Sequence, residues 1–228
     1  MIPKAVLDEG PALVFDLWQT LAFDDLPANP FDATVHAFGF DPRVPAERRL
    51  VEDPLMSQPY RDVDHALDHV ERLVGRTASN RDQLRALWQR SSHSARLYDD
   101  VLPTLDALAG RFPLALLSNT QSFGMDAVSA SGLLERFDAL VLSYVHGLAK
   151  PDTAFFAAAA AELGLSPSRL VMIGDSLDRD VVPARAAGYG AAVLIDRTGW
   201  SARSSRLRRH PPAPTVIRGL DELLAALG

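Results

Sequence analysis

The chain has 228 residues, 47% of them hydrophobic and 23% charged, which is typical of a globular protein with a well-formed core. It contains no Cys, so disulfide bonds, thiolate metal sites and cysteine nucleophiles are excluded, and its formal net charge of -6 argues against nucleic-acid binding. Because no apolar run is long enough to span a membrane and the first residues do not resemble a signal peptide, we expect a cytoplasmic protein without a membrane partner.

Short apolar runs alternate with helical patterns along most of the chain. The runs typical of buried strands cover residues 12–15, 114–117, 139–142, 170–173, 191–195 and 215–217. The predicted helices cover residues 103–110, 154–163, 181–187 and 220–227. Because continuous apolar strands joined by helices are typical of a parallel sheet covered on both faces, we predict an α/β fold with a right-handed, doubly wound sheet.

The alternation of strands and helices stops between about residues 24 and 100, where only helical patterns occur. Apolar residues recur with helical spacing over residues 61–75, and Asn80 is placed to cap a second helix. Residues 53–60, which include two prolines, are predicted to form a loop between helices. The predicted units are an α/β core, residues 1–23 and 101–228, and an inserted all-α domain, residues 24–100.

Polar residues follow four of the predicted strands, at the edge where ligands bind in open parallel sheets. The first strand leads into Asp16, within DLWQTL, and the second into Ser118, within LSNT. The loop after the third strand reaches Lys150, within KPD. The fourth strand leads into Asp175, within GDSLDRD, which ends at Asp180. Taken singly, each residue could be a turn, cap or surface residue. Taken together and in this order, they indicate one site.

These four motifs resemble those of the haloacid dehalogenase superfamily, and the helical insertion between the first two resembles that family's cap domain. The resemblance covers nearly the whole chain and implies a Rossmann-like core. It also implies that Asp16 is a carboxylate nucleophile, which forms a covalent aspartyl intermediate. The cofactor that it implies is Mg²⁺, bound by Asp16, Asp175 and the backbone carbonyl of Trp18, because hard cations prefer oxygen ligands.

The same resemblance implies roles for other residues of the motifs. Ser118, Asn119 and Lys150 are expected to bind phosphoryl oxygens of the substrate, where hydrogen-bond donors and a fixed positive charge stabilise the transition state. Asp180 is expected to orient Lys150 or a metal-bound water, and it completes the catalytic set of Asp16, Ser118, Lys150 and Asp180. Thr20 is expected to support the loop after the nucleophile, with a helix cap as the alternative interpretation.

Position 18 departs from the phosphatases of this superfamily, which usually carry a second Asp two residues after the nucleophile as general acid and base. Trp18 occupies that position, and an indole N–H cannot exchange a proton at neutral pH, so a contribution of about 10²- to 10⁴-fold is missing there. Gln19 replaces the Gly that commonly follows, which calls the usual loop conformation into question. His146 or a cap residue is a candidate for the missing acid, and a structural role is the alternative for His146.

Three functions are compatible with Trp18: a phosphatase, a 2-haloacid dehalogenase-like hydrolase that uses an aspartyl-ester intermediate, and a non-catalytic protein that binds phosphate and metal. The dehalogenases also lack the second Asp and carry a Tyr there. They replace the metal-binding acid with neutral Ser and Asn, however, whereas this chain keeps Asp175 and Asp180. It also has Phe155 and Phe156 where they place a Tyr. The cap arginines available to extract a halide are Arg43, Arg48, Arg49 and Arg61.

The sequence therefore favours a Mg²⁺-dependent phosphatase acting on a small phosphorylated metabolite. We expect a monomer or a homodimer, with no nucleic-acid partner. The basic stretch over residues 203–209 is interpreted as a solvated loop rather than an anion-binding arm. The identity of the substrate is left open, because cap residues would select it and one sequence does not fix their orientation.

Overall fold

A six-stranded parallel sheet forms the centre of the protein in the computed structural model, which describes residues 2–199 and 213–227. The strands are β1 (Ala12–Phe15), β2 (Ala22–Phe23), β3 (Arg96–Leu97), β4 (Leu114–Ser118), β5 (Ala139–Leu142), β6 (Leu170–Gly174), β7 (Ala191–Ile195) and β8 (Thr215–Ile217). The helices are α1 (Lys4–Asp8), α2 (Pro30–Ala37), α3 (Pro45–Leu55), α4 (Val63–Val74), α5 (Arg81–Ser94), α6 (Val101–Leu108), α7 (Asp126–Ala130), α8 (Ser143–His146), α9 (Thr153–Leu163), α10 (Val182–Ala186) and α11 (Leu220–Leu227).

The strand order in the sheet is β5-β4-β1-β6-β7-β8, and every neighbouring pair is parallel. This order confirms the predicted doubly wound α/β fold. The chain leaves β1 toward β4 and leaves β6 toward β7, so its direction of travel reverses between β1 and β6. In such sheets the crevice beyond the carboxyl ends of these two strands is where ligands bind. Asp16 and Asp175 directly follow β1 and β6 and therefore lie at this crevice.

Both faces of the sheet are covered, as the continuous apolar strands predicted. Along β1, Leu13 and Phe15 belong to one hydrophobic cluster, whereas Ala12 and Val14 belong to a second cluster on the opposite face. All four side chains are fully buried. Because burying a large apolar side chain stabilises a fold by about 1.5 to 3 kcal/mol, β1 anchors the site from both faces.

The inserted helices α2 to α5 lie between β2 and β3, which pair antiparallel with Ala22 opposite Leu97 and Phe23 opposite Arg96. The helices form a third hydrophobic cluster, which includes Trp88 and also takes in Phe123 from the loop after β4. Phe123 packs edge-on against Trp88 with ring centroids 5.0 Å apart. The helical insertion thus packs on the loop at the end of a sheet strand. The unit boundaries at residues 23, 24, 100 and 101 stay a prediction.

Three local predictions differ from the structure. Helix α3 runs to Leu55, so the predicted loop over residues 53–60 starts later, and β3 lies in a region predicted to lack strands. Asn80 precedes α5, but its side chain makes no capping hydrogen bond. The basic stretch over residues 203–209 lies outside the described residues. Within residues 2–199 and 213–227, no helix combines the length and apolarity needed to cross a membrane.

Candidate active site

Lys150 lies between two buried carboxylates at the carboxyl edge of the sheet. Its Nζ atom donates to Asp16 Oδ1 at 2.5 Å and to Asp180 Oδ1 at 2.7 Å. The side chains of Lys150, Asp16 and Asp180 are 4%, 8% and 1% exposed. Buried charges require partners, and this arrangement gives two anions one shared cation. The group therefore carries a net negative charge next to the crevice.

Backbone and side-chain hydrogen bonds hold each of these residues in place. The Asp16 N–H donates to the carbonyl of Ile173 in β6 at 2.9 Å, and Thr20 Oγ1 donates to Asp16 Oδ2 at 3.1 Å. The amide of Asn119 clamps the backbone of Lys150, donating to its carbonyl at 2.8 Å and accepting from its N–H at 2.7 Å. The nucleophile candidate and the cation are thus oriented by separate loops.

Burial and the charges of neighbouring carboxylates raise the pKa values of Asp16 and Asp175. Burial raises the pKa of the Asp16 carboxyl and Asp180 adds to the effect, against the lowering by Lys150. Burial, followed by the charges of Asp16 and Asp180, raises the pKa of Asp175 to about 7. Burial opposes the charged form of Lys150, but the two carboxylates outweigh it and raise the lysine pKa above its usual value. An additional cation beside Asp175 would relieve this repulsion.

Oxygen atoms of Asp16, Asp175 and Asp180 all lie within 4.8 Å of one another. A hard divalent cation prefers such carboxylate ligands, so this donor set fits Mg²⁺. Both oxygens of Asp180 already accept hydrogen bonds, Oδ1 from Lys150 and Oδ2 from the Ser176 N–H at 2.9 Å. Both oxygens of Asp16 do so as well, Oδ1 from Lys150 and Oδ2 from Thr20. Asp175 is therefore the least committed ligand of the three.

A cavity of about 220 Å³ opens above these residues, between the sheet edge and the inserted helices. Its described lining includes five carboxylates and three cations, which are Asp16, Asp24, Glu52, Asp175 and Asp180 with Arg48, Lys150 and Arg179. Its other walls include Trp18, Gln19, Phe31, Met56, Trp88, Asn119 and Gln121. A phosphoryl dianion would meet an excess of negative charge here unless a cation bound with it. The lining charges thus also fit a metal-assisted site.

A sequence model of the haloacid dehalogenase-like hydrolases matches residues 12–188, which span β1 through α10. The chain belongs to this family. Among curated relatives, a β-phosphoglucomutase of Mycobacterium bovis is 32% identical over 135 residues, which are 57% of this chain and 50% of that protein. An N-acylneuraminate-9-phosphatase of Mus musculus is 30% identical over 132 residues, 58% of this chain and 53% of that protein. The chain thus matches about half the length of each.

Solved structures of the family share the whole fold. A HAD phosphatase from Thermococcus onnurineus superposes with a TM-score of 0.62 at 24% identity, covering 96% of this chain and 98% of that one. A 2-haloacid dehalogenase from Pseudomonas syringae pv. Tomato DC3000 superposes with a TM-score of 0.61 at 23% identity, covering 96% of this chain and 99% of that one. Because one fold is common to both activities, the choice between them must come from the site.

Ser118 lies at the end of β4 and is fully buried. Its Oγ atom has no hydrogen-bond partner among the described residues, and the side chain is absent from the described lining of the cavity. An unpaired buried hydroxyl is uncommon, because leaving it unsatisfied costs about 1 to 3 kcal/mol. Its hydroxyl is therefore not committed to another residue of the described chain.

The loop after Asp16 accommodates both departures from the family pattern. Gln19 adopts φ = 63°, the left-handed conformation that Gly adopts readily, so this backbone would suit the Gly that is common at the position. A side chain in that region costs about 1 kcal/mol or more. Trp18 lines the cavity, and its Nε1 atom donates to Thr120 Oγ1 at 3.3 Å. The indole N–H is therefore occupied by the neighbouring loop.

Several residues discussed from the sequence lie away from the cavity. Phe155 and Phe156 are fully buried on one face of the sheet, and His146 packs edge-on against Phe155 with centroids 6.1 Å apart. Neither His146 nor these rings are in the described lining. Of the four cap arginines considered, Arg48 lines the cavity, with its guanidinium bound to Asp32 at 2.7 Å and to Glu52 at 2.6 Å.

The sequence patterns missed other lining residues. Gln121 is buried two positions after Asn119, and its Oε1 atom has no partner among the described residues. Its position in the loop after β4, at the edge of the sheet where ligands bind, could have marked Gln121 as a candidate site residue. Glu52 and Trp88 belong to apolar or mixed helical patterns in which nothing marks the face turned to the cavity. Only the packing of α3 and α5 brings them there.

Proposed function

We propose that the protein hydrolyses a phosphomonoester with the help of Mg²⁺, through a phosphoryl group carried transiently on Asp16. The observation that carries this proposal is the cluster of Asp16, Asp175 and Asp180, whose oxygens lie within 4.8 Å of one another, with Lys150 Nζ paired to Asp16 and Asp180. A 2-haloacid dehalogenase needs no metal-binding acids, and these enzymes carry neutral Ser and Asn in the motif where this chain has Asp175 and Asp180. Retention of all three acids favours phosphoryl chemistry.

Asp16 would attack phosphorus, and the bond from phosphorus to the leaving oxygen would break with its electron pair on that oxygen. Water would then attack the phosphorus, break its bond to Asp16 and release inorganic phosphate. When bound, Mg²⁺ would neutralise charge on the transferring group, with Asp16, Asp175 and the carbonyl of Trp18 to hold it. Thr20 would keep Asp16 in its rotamer through the 3.1 Å hydrogen bond to Oδ2.

The remaining residues would bind and orient. Lys150 would bring its fixed charge to the phosphoryl oxygens, and Asp180 would hold that ammonium group through the 2.7 Å ion pair. Ser118 would donate its unpaired hydroxyl to the same oxygens. Asn119 would act mainly through Lys150, since both ends of its amide already bind the lysine backbone. Asp16, Ser118, Lys150 and Asp180 together would form the catalytic set.

A small phosphorylated metabolite fits this proposal best. The cavity of about 220 Å³ is smaller than the roughly 300 to 1,000 Å³ of typical small-molecule sites. The two curated relatives are named for reactions of a phosphorylated sugar and a phosphorylated acylneuraminate. The names of these two relatives support the proposal that this protein also acts on a phosphorylated compound. A cytoplasmic location and a monomeric or homodimeric state stay predictions.

Phosphate release and halide release from the same preparation distinguish the candidate functions. We expect phosphate release from p-nitrophenyl phosphate and from simple alkyl phosphates in Mg²⁺, loss of that activity with excess EDTA, and recovery when Mg²⁺ is restored. Activity that survives chelation would contradict the metal-dependent mechanism. Halide release from 2-chloropropionate or 2-bromopropionate would support the dehalogenase alternative, which Trp18 leaves open. Mg²⁺ or phosphate binding without turnover would support a binding protein.

Replacing Trp18 with Asp should raise turnover most for substrates with poor leaving groups, because those most need a proton from the enzyme. We expect a gain of about tenfold or more for alkyl phosphates and little change for p-nitrophenyl phosphate. Trp18→Phe is the matched control, because it removes the N–H donor to Thr120 without adding an acid. Equal or lower rates of Trp18→Asp on both substrates would show that the position does not limit protonation.

A further inference from the structure

Arg197, two residues after β7, uses its whole guanidinium group in contacts with two other segments. Its Nε atom donates to the carbonyl of Thr20 at 2.8 Å. Its Nη1 and Nη2 atoms each donate to one oxygen of Asp100, both at 3.0 Å. The guanidinium carbon also lies 3.8 Å from the centroid of the Tyr98 ring. The side chain is 9% exposed, so these contacts are largely shielded from water.

The partners of Arg197 lie on the two connections between the sheet and the inserted helices. Thr20 belongs to the outgoing connection, and its hydroxyl donates to Asp16 Oδ2. Tyr98 and Asp100 belong to the returning connection, where the Tyr98 N–H donates to the carbonyl of Leu21 at 3.1 Å. One side chain thus joins both connections at the point where the outgoing one holds the candidate nucleophile.

We propose that Arg197 is a positioning residue for the nucleophile loop, residues 17–21, which it fixes against the returning connection. The inference rests on the proposed function, because it assigns Arg197 a role in aligning Asp16 and the carbonyl of Trp18. The planar guanidinium can bind a carboxylate with two N–H groups while Nε–H points to a backbone carbonyl. A lysine ammonium, with a single nitrogen, cannot reproduce this geometry.

Loss of the Arg197 contacts should lower turnover without preventing the protein from folding. The loop keeps its own hydrogen bonds from the N–H groups of Leu21 and Ala22 to the carbonyl of Leu17, at 2.8 and 2.9 Å. Asp100 keeps its bond from the Leu220 N–H at 2.8 Å. A small displacement of a reacting group costs about 10²-fold in rate, so a loosened loop should lower kcat by about 10- to 100-fold.

The experiment compares Arg197→Lys and Arg197→Met with Arg136→Met. Arg136 makes a similar two-pronged pair with Asp106, at 2.8 and 3.3 Å, but has no contact with the loop. We expect both Arg197 variants to lose about 10- to 100-fold in kcat on p-nitrophenyl phosphate, with a smaller change in KM and weaker Mg²⁺ binding by calorimetry. Arg136→Met should keep kcat within about twofold.

Hydrogen exchange of the peptide covering residues 17–23 provides a readout that does not need turnover. We expect this peptide to exchange faster in Arg197→Lys and Arg197→Met than in the native protein, while a peptide over β4 is unchanged. Native exchange together with native kcat in Arg197→Lys would overturn the proposal, as would an equal loss of kcat in Arg136→Met. If the native protein releases no phosphate, the proposed function fails, and the exchange and Mg²⁺ data still decide whether Arg197 orders the loop.

Discussion

Asp16→Asn should lower phosphate release by about 10⁴- to 10⁶-fold, the largest effect expected of any substitution in this protein. The amide has nearly the shape of the carboxylate, but it cannot form the aspartyl intermediate. Because burial and Asp180 disfavour the charged form of Asp16 in the fold, removing that charge should leave the free energy of unfolding unchanged or higher. Loss of turnover without loss of stability is therefore the expected signature.

Steady-state kinetics, urea unfolding and the mass of acid-quenched protein check this prediction. The quenched native enzyme should show a species heavier by one phosphoryl group, which Asp16→Asn should lack. Asp178→Asn is the matched control, because Asp178 is an exposed carboxylate in the same GDSLDRD segment and is absent from the described cavity lining. Residual activity of Asp16→Asn within tenfold of the native rate would exclude Asp16 as the nucleophile.

Lys150→Met should be the most destabilising substitution in the site, with a loss of about 3 to 5 kcal/mol in the free energy of unfolding. Methionine fills a similar volume, but it leaves Asp16 and Asp180 buried without their shared cation. The removal of one partner from a buried ion pair is costly, because the remaining charges have neither water nor a counterion. Urea unfolding at neutral pH, without metal, measures the loss.

An exposed lysine is the control for this measurement. Lys4 pairs with Asp8 at 2.6 Å, but the two side chains are 84% and 59% exposed, so Lys4→Met should change stability by at most about 1 kcal/mol. Adding Asp180→Asn to Lys150→Met should recover part of the loss, because it removes one uncompensated anion. If Lys150→Met and Lys4→Met cost the same, the buried ion pairs contribute little to stability.

The sheet was predictable because its strands are apolar on both faces. The runs at 12–15, 139–142, 191–195 and 215–217 agree with β1, β5, β7 and β8 residue for residue. The pair of β2 and β3 was not predictable in the same way. Two-residue strands have no alternation to detect, and Ala22 and Leu97 meet only because the insertion returns beside its point of departure. Non-local backbone pairing of this kind leaves no local pattern.

The part of the site that lies directly after the sheet strands was predictable from the sequence. Asp16 and Asp175 follow adjacent parallel strands, so their proximity follows from topology, and their roles stay predictions. The ion pair from Lys150 to Asp180 was within reach of the same reasoning, since Asp180 was expected to orient the lysine or a metal-bound water. The orientation of α3 and α5, which brings Glu52 and Trp88 to the cavity, depends on how helices pack. Arg197 was missed because its segment looked like an ordinary loop after a strand.

The antiparallel pairing of β2 with β3 brings the start and the end of the helical insertion side by side. Phe23 and Arg96 are cross-strand neighbours, so their backbones lie about 5 Å apart and a short hairpin turn would join them. Evolution could therefore exchange, enlarge or shorten the helices without altering the path of β1 or β6. Such an exchange would remove the ring partners of Phe123, which are Trp88 and Tyr60. It would also remove the hydrogen bonds of Ser122 with Tyr60 and of Asp126 with Ser92. Substrate preference and phosphoryl chemistry could in this way evolve on separate stretches of the chain.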